Sequence, residues 1–362
     1  MYRRSQKNES GHDRAATPRR RLLAAAAFAP LLAVAGTGPA SAGATSAGAG
    51  ESGAKEAGSG AGANAGRGYG TGATAGAAPE PVRPVATTLA DWKGVAKAMG
   101  RPGSVLNDVM YRTRFPRHDL NVVSQGVRVS PGLALASHIG FIRYADGSTL
   151  AMGDMAVTED ELQRVSDALI EHGIAQTAIH KHLLAHDPDI WWTHVHVHGR
   201  DPMAMARGFR AAFDATATPP ARPMKPPPPL DLDVRAMDDV LGTEGLNDGG
   251  IYKSVFARRE TIIEHGMVLP AGLGSTSAFN FQPLGGGQAA VNGDFVMIAS
   301  EIQTVHSLLR NGGISLVELH NHGLSEEPRL FFTHFWGVGD GVELAKALRP
   351  AVDATQVVPA EA

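Results

Sequence analysis

Histidine is the chain's main resource for transition-metal chemistry: the 362 residues include 15 His and no Cys. His180 and His182 lie two apart in a segment that reads as a strand, so their imidazoles leave the same face. His194, His196 and His198 alternate on the next predicted strand, again on one face. Imidazole is the commonest protein ligand for zinc and also suits copper, iron and nickel. If the two strands form a hairpin, His180, His182 and His194 supply three ligands with an open fourth position, and His196 lies next to them. Further along, His320, His322 and His334 repeat the trio with the same 14-residue spacing from first to last, with Trp336 where His196 stands. Each set is an expected metal site, zinc the foremost metal. Alternation on an amphipathic strand is the simpler reading of one such set, and its repetition argues against it. Whether the two trios make one site or two is left open by the spacing.

Two carboxylates repeat in step. Asp154 and Asp294 each follow a glycine and precede the first His of their trio by 26 residues. They are candidates for a general base, a fourth ligand or a partner that orients a ligand His, against the plainer reading of a turn aspartate. Asp187-Pro188 and Glu327-Pro328 read as turns between the His strands. Glu318 shares a strand face with His320 and His322, but Ala178 replaces it in the first copy. Other motifs are weak. Gly337-Val338-Gly339 lacks a third glycine and the strand-to-helix setting of a dinucleotide fingerprint, and Gly285 to Gly287 has no Lys-Ser/Thr after it. The aromatics Trp191, Trp192, Phe331, Phe332, Phe335 and Trp336 gather on the His strands, as core or as the wall of a ligand pocket.

These residues are positioned by a fold used twice. A shift of 140 places Leu106-Asn107-Asp108 on Leu246-Asn247-Asp248, Gly153-Asp154 on Gly293-Asp294, Gly173-Ile174 on Gly313-Ile314 and Thr193-His194 on Thr333-His334. In each copy β-rich segments (Asn121 to Val129, Leu133 to Tyr144, Met155 to Val157, with their counterparts) precede a helix. Thr158 and Glu161 form its capping box, Leu162, Val165 and Leu169 its apolar stripe, and Gly173 or Gly313 its left-handed end. Two His-bearing strands and a last helix, Met203 to Phe213 or Val342 to Val352, complete the unit. The predicted class is α+β, a tandem duplication of a β-β-β-α-β-β-α unit arranged as a ferredoxin-like sandwich of antiparallel sheet and helices.

The rest of the chain organises these units. Arg19-Arg20-Arg21, the apolar run Leu22 to Val34 and Ala40-Ser41-Ala42 read as a twin-arginine-like export signal over 1–42. A flexible Gly/Ala-rich linker is expected over 43–84, repeat domain 1 over 85–216 and a Pro-rich linker over 217–232. Repeat domain 2 covers 233–356 and a tail 357–362. The expected product is exported and soluble, with no stable membrane span once the signal is removed. A net charge of −3 argues against a general nucleic-acid binder. Absence of Cys excludes disulfides, a thiol nucleophile and a lipid-modified cysteine.

The blocks Gly153-Asp154, Ile179-His180-Lys181-His182, Leu319-His320-Asn321-His322 and Glu327 to Trp336 resemble the LppY/LpqO family over about residues 85–356. That resemblance implies an exported bacterial protein carrying a domain of unknown function in two copies. Many members are lipoproteins; this chain departs from them in having no Cys to lipidate. The family brings no established activity. The residues favour a metal-binding protein, and among enzymes a metal-dependent hydrolase. The alternatives are a non-catalytic module binding a small molecule or a cell-envelope component, and a lysostaphin-like zinc endopeptidase acting on peptidoglycan. The last lacks a convincing upstream His/Asp motif.

Overall fold

A computed structural model describes residues 80–223 and 226–360. The export signal expected over 1–42 and most of the 43–84 linker lie outside the described residues. In the first repeat a 3-10 turn (Leu89–Trp92) leads into α1 (Lys93–Met99), β1 (Ser104–Leu106), β2 (Met110–Pro116), β3 (Val123–Ser124) and β4 (Val127–Arg128). Then come β5 (Ala136–Arg143), β6 (Thr149–Thr158), α2 (Glu159–Glu171), β7 (Ala175–His180), β8 (His186–Asp187), β9 (Ile190–Gly199) and α3 (Pro202–Asp214). The second repeat opens with α4 (Val234–Leu241), β10 (Leu246–Asp248), β11 (Ile251–Arg258), β12 (Ile262–Glu264) and β13 (Met267–Leu269). It continues with β14 (Thr276–Gly285), β15 (Gln288–Met297), α5 (Ile302–Asn311), β16 (Ser315–His320), β17 (Phe331–Asp340), α6 (Gly341–Asp353) and β18 (Val357–Ala360).

Each repeat builds one antiparallel sheet, in the order β1-β2-β5-β6-β9-β7 and β10-β11-β14-β15-β17-β16. Strands β6 and β7 flank β9 and so run parallel to each other, with α2 as the crossover; β15, β17 and β16 repeat this with α5. One sheet face packs on helices. Tyr111, Phe115, Phe141 and Met155 bury against Val95, Val165 and Phe209 of the first repeat's helices. Phe256, Phe279 and Phe295 do the same with Val305 and Leu348 in the second. The other faces meet between the repeats, where Leu133, Leu183 and Trp192 pack with Ile251, Ala290 and Trp336. Alternation along β2 shows how one strand serves both sides: Tyr111, Thr113 and Phe115 are buried, while Arg112 and Arg114 turn to the other face.

The duplicated mixed helix-and-sheet organisation matches the sequence reading; the unit is longer than expected. A helix precedes the strands in each copy, α1 and α4. The segment Asn121 to Val129 is not a main-sheet strand. It forms the short β3-β4 hairpin, which pairs with β8 outside the sheet, as β12 and β13 pair with each other in the second repeat. The sheet position belongs instead to β2 and β11, whose alternate charged side chains mask the apolar face. The segment expected as a tail supplies β18, which pairs with β11 from Val357 to Ala360. Nor is the end of the first linker free: the Val82 amide donates to the Gly266 carbonyl (2.8 Å) and its carbonyl accepts from Val268 (2.9 Å). Leu230 and Leu232 of the Pro-rich stretch pack on the second core.

The local signals hold. The Thr158 amide donates to Glu161 Oε2 at 2.9 Å, closing the capping box. Gly173 and Gly313 end their helices at φ 65° and 79°, in the left-handed region that favours glycine. Gly153 and Gly293 are required for another reason. A Cβ at either position would come within 2.0 Å of the His138 carbonyl oxygen or 2.3 Å of that of Ala278. These glycines let neighbouring strands close up beside Asp154 and Asp294. Among the described residues, no helix is long and apolar enough to cross a membrane.

Candidate metal centre between the repeats

Strand register places the site's side chains in rows. Arg114, His138, Asp154 and His194 stand side by side across β2, β5, β6 and β9. In the second sheet Ala278, Asp294 and His334 align on β14, β15 and β17. His180 and His320 end β7 and β16, opposite Trp192 and Phe332. His182 and His322 follow in the next turn, and their rings stack on those same aromatics at 4.5 and 3.4 Å. The aromatics thus form a wall that orients two of the imidazoles.

Facing the sheets toward each other merges the two sets. His180 lies over His320, with ring centroids 4.1 Å apart and planes 15° from parallel. His182 of the first repeat meets His334 of the second at 3.9 Å, and His322 meets His194 at 4.0 Å, the same exchange seen from the other side. Polar contacts lock the seam. Asn292 Nδ2 donates to the His182 carbonyl (2.7 Å) and Asn321 Nδ2 to that of Thr177 (3.0 Å). Thr177 Oγ1 in turn donates to the His322 carbonyl.

Among the described residues three groups are compact enough to hold a metal ion, their potential ligand atoms within 4.8 Å of one another: His180 with His320 and His334, His194 with His320 and His322, and Asp154 with His180 and His182. Two of the three combine both repeats. The spacing left open one site or two; the rings of His180 and His194, and of His320 and His334, also lie 4.6 Å apart within their own repeats. Asp154 Oδ2 lies 3.1 Å from His182 Nε2, and Asp294 Oδ2 lies 3.0 Å from His322 Nε2. The His334 Nδ1–H donates to the Gly293 carbonyl at 2.9 Å, which leaves Nε2 with its lone pair free. His196 stands apart, its Nδ1 3.5 Å from Glu264 and its ring 6.1 Å from His265. Asp187 pairs through its backbone in the β3-β8 ladder, outside the cluster.

Burial sets the protonation states. It holds His180, His182, His194 and His320 well below the ordinary imidazole range, with neighbouring imidazoles adding to the effect. Burial also takes His322 down to about 3 and His334 to about 4, the latter against the pull of Asp294. Neutral imidazoles are the form a metal requires. Burial, with Asp154 nearby, raises the Asp294 carboxyl to about 7, opposed by His334.

His182, His194, His322 and His334 of the cluster, with Asp154 and Asp294, line a cavity of about 450 Å³ formed by both repeats. His138, Arg112, Arg114, Lys253 and Asp248 line it as well, and the sequence reading missed them. His138 has Ala278 at its matched position, so comparison of the copies hides it; its signal is the cross-strand position opposite Asp154.

Among curated proteins none is significantly similar to the chain. Two solved structures are reported as similar. A trimeric bacterial microcompartment shell protein, PduB, has 12% identity over 71% of this chain and 95% of its own, at a TM-score of 0.19. A double-ringed trimeric shell protein, MSM0271 from the RMM microcompartment, has 12% identity over 67% of this chain and 93% of its own, at 0.17. At such scores neither likeness bears on fold or function. A family model matches twice, over residues 93–215 and 235–354, once on each repeat. The chain belongs to the family described as Domain of Unknown Function (DUF1259).

Proposed function

We propose that the chain is an exported protein of the LppY/LpqO type that binds a transition metal, zinc foremost, between its repeats and hydrolyses a small molecule there. One observation carries the metal reading. His180 Nδ1, His194 Nε2, His334 Nε2 and both ring nitrogens of His320 are buried without a hydrogen-bond partner, as are Asp154 Oδ1 and Asp294 Oδ1. An unsatisfied buried polar atom costs about 1–3 kcal/mol. So many in one place are hard to account for as packing, and a cation taking their lone pairs offsets the cost.

His180, His194, His320 and His334 would supply the central ligands, with His182 and His322 beside them. When bound, the metal supplies a water acidified to near-neutral pKa. Asp154 and Asp294, at 3.1 and 3.0 Å from the Nε2 atoms of His182 and His322, would orient those flanking imidazoles. Asp294, with a carboxyl near 7 and a free Oδ1, is poised to accept a proton at that oxygen. The cavity, open to the cluster, is within the size range of small-molecule sites.

The test is the metal content of the purified mature protein, followed by hydrolysis of a panel of small esters, amides and phosphoesters before and after chelation. Bound metal with chelator-sensitive turnover supports the proposal. Absence of metal, together with unchanged thermal stability under chelation, sinks it; metal without turnover removes the hydrolase part.

A further inference from the structure

The cavity wall around His138, outside the compact ligand groups, carries charge that nothing described so far uses. Arg112 and Arg114 project from β2 and Lys253 from β11 into the same space. Only one carboxylate answers them. Asp248 Oδ2 lies 2.8 Å from Arg114 Nη2 and 2.8 Å from Lys253 Nζ. Arg112 has no hydrogen-bond or ion-pair partner among the described residues, and its Nε is buried. Asp154 and Asp294 line the same cavity, but neither forms an ion pair with these cations, so Asp248 is shared between two of them and Arg112 is left without such a contact.

The arrangement belongs to the duplication. Arg112 pairs across the sheet with Gly140 and Lys253 with Asn280, which are matched positions of the two repeats. Arg112 and Lys253 are therefore counterparts, facing each other across the seam as the histidines do. Burial, with Arg114 close by, lowers the Arg112 guanidinium to about 10 and the Lys253 ammonium to about 8. A guanidinium left without a partner in a cavity is a donor fork awaiting an oxyanion.

We infer that Arg112, Arg114 and Lys253 bind the anionic group, carboxylate or phosphate, of a small-molecule substrate whose reacting bond is thereby held toward the histidine cluster. This rests on the proposed metal site for the identity of the reacting end. The spacing suits one molecule. Asp154 is two strands away from Arg114 along a row, about 10 Å between backbones at ordinary strand separation, and the side chains shorten the gap. The oxyanion is thus bound at one end of the cavity and the bond to be broken lies at the other, which favours small acids over neutral or cationic compounds.

The test is calorimetric titration of the purified protein with inorganic phosphate and with succinate, each on metal-loaded and metal-stripped samples. Variants are Arg112→Met, Lys253→Met and Arg112→Lys. We expect binding of at least one probe to stripped protein, weakened about 10-fold or more by either Met substitution and partly kept by Arg112→Lys. The probe that binds tighter identifies the oxyanion. Metal content should be the same in all variants, since none of these side chains belongs to the ligand groups. Binding that needs the metal and ignores Arg112 and Lys253 would overturn the inference, as would no binding at all. If the protein holds no metal but stripped protein still loses its anion on Arg112→Met, the anion subsite stands and the metal reading alone fails. Circular dichroism and thermal melts of each variant separate lost binding from lost fold.

Discussion

His180 and His320 come from matched positions of the two repeats and stack face on face, 4.1 Å between ring centroids. Two charged imidazoles would repel each other at that distance, so the pair is stable only as neutral rings or with a cation between its neighbours. Each belongs to two of the three compact ligand groups, His180 with Asp154 and His182, His320 with His194 and His322, and both with His334. Substituting either His180→Ala or His320→Ala should therefore abolish most metal binding, although the repeat opposite is intact. His196→Ala should leave binding unchanged, because its ring faces Glu264 outside the groups. Metal analysis of the dialysed variants decides this. Half the metal retained in each single variant would instead point to independent sites.

Asp154 and Asp294 lie 3.1 and 3.0 Å from the Nε2 atoms of His182 and His322, at equivalent positions of the two repeats. Outer partners of this kind typically change metal affinity by about 10- to 100-fold. Asp154→Asn and Asp294→Asn should weaken metal binding by such a factor and leave the fold intact, the two acting alike if the pseudo-symmetry is functional. Competition with a coloured chelator measures it. Affinity unchanged in both variants would return these residues to the role of turn aspartates.

Much of this site is legible in the sequence, and what is not has a physical reason. The duplication shows because side-chain types at matched positions repeat, and the His-x-His pairs show because strand geometry alone places them on one face. The exchange of partners across the seam is invisible. Nothing local in His182 or His334 encodes which sheet lies opposite. The cationic wall is hidden by register: the second copy has one more residue before β11, so Arg112 matches Lys253 at a shift of 141 while the His residues match at 140. The same slip conceals the kinship of Arg117 and Arg258. His138 has no counterpart, so the repeat comparison passes over it.

Glu264 offers a test by pH. Burial, reinforced by Glu326, raises its carboxyl from an ordinary 4.5 to about 7. In the window between those values the folded state keeps a proton that the unfolded chain has lost. Its contribution is therefore fully present below about 4.5 and is lost as pH rises through 7, amounting to about 3 kcal/mol at most. Stability measured from pH 5 to 8 should fall from this source, and Glu264→Gln should remove that slope and be the more stable form at pH 8. Parallel curves for the two proteins would show that Glu264 is already ionised when folded.

Arg117 is buried and binds Glu161 (2.7 Å) and Asp119 (2.8 Å); Arg258 repeats this with Glu301 and Glu260. Glu161 also accepts the amides of Thr158 and Ala217, so one carboxylate ties α2 to the end of the first repeat. Removing it leaves a buried guanidinium with Asp119 as its one carboxylate, beside the Ala156 carbonyl, and two amides without that acceptor. Breaking a buried pair from one side costs about 3–5 kcal/mol, whereas replacing both partners by apolar groups is often near neutral. Glu161→Ala should therefore lose about that much in urea unfolding, and the Arg117→Met/Glu161→Leu double variant markedly less. Additive losses in the double variant would mean that the pair stabilises the fold outright. A recovered double variant would instead show that the charge, once buried, mainly penalises any arrangement lacking its partner, in each repeat by the same device.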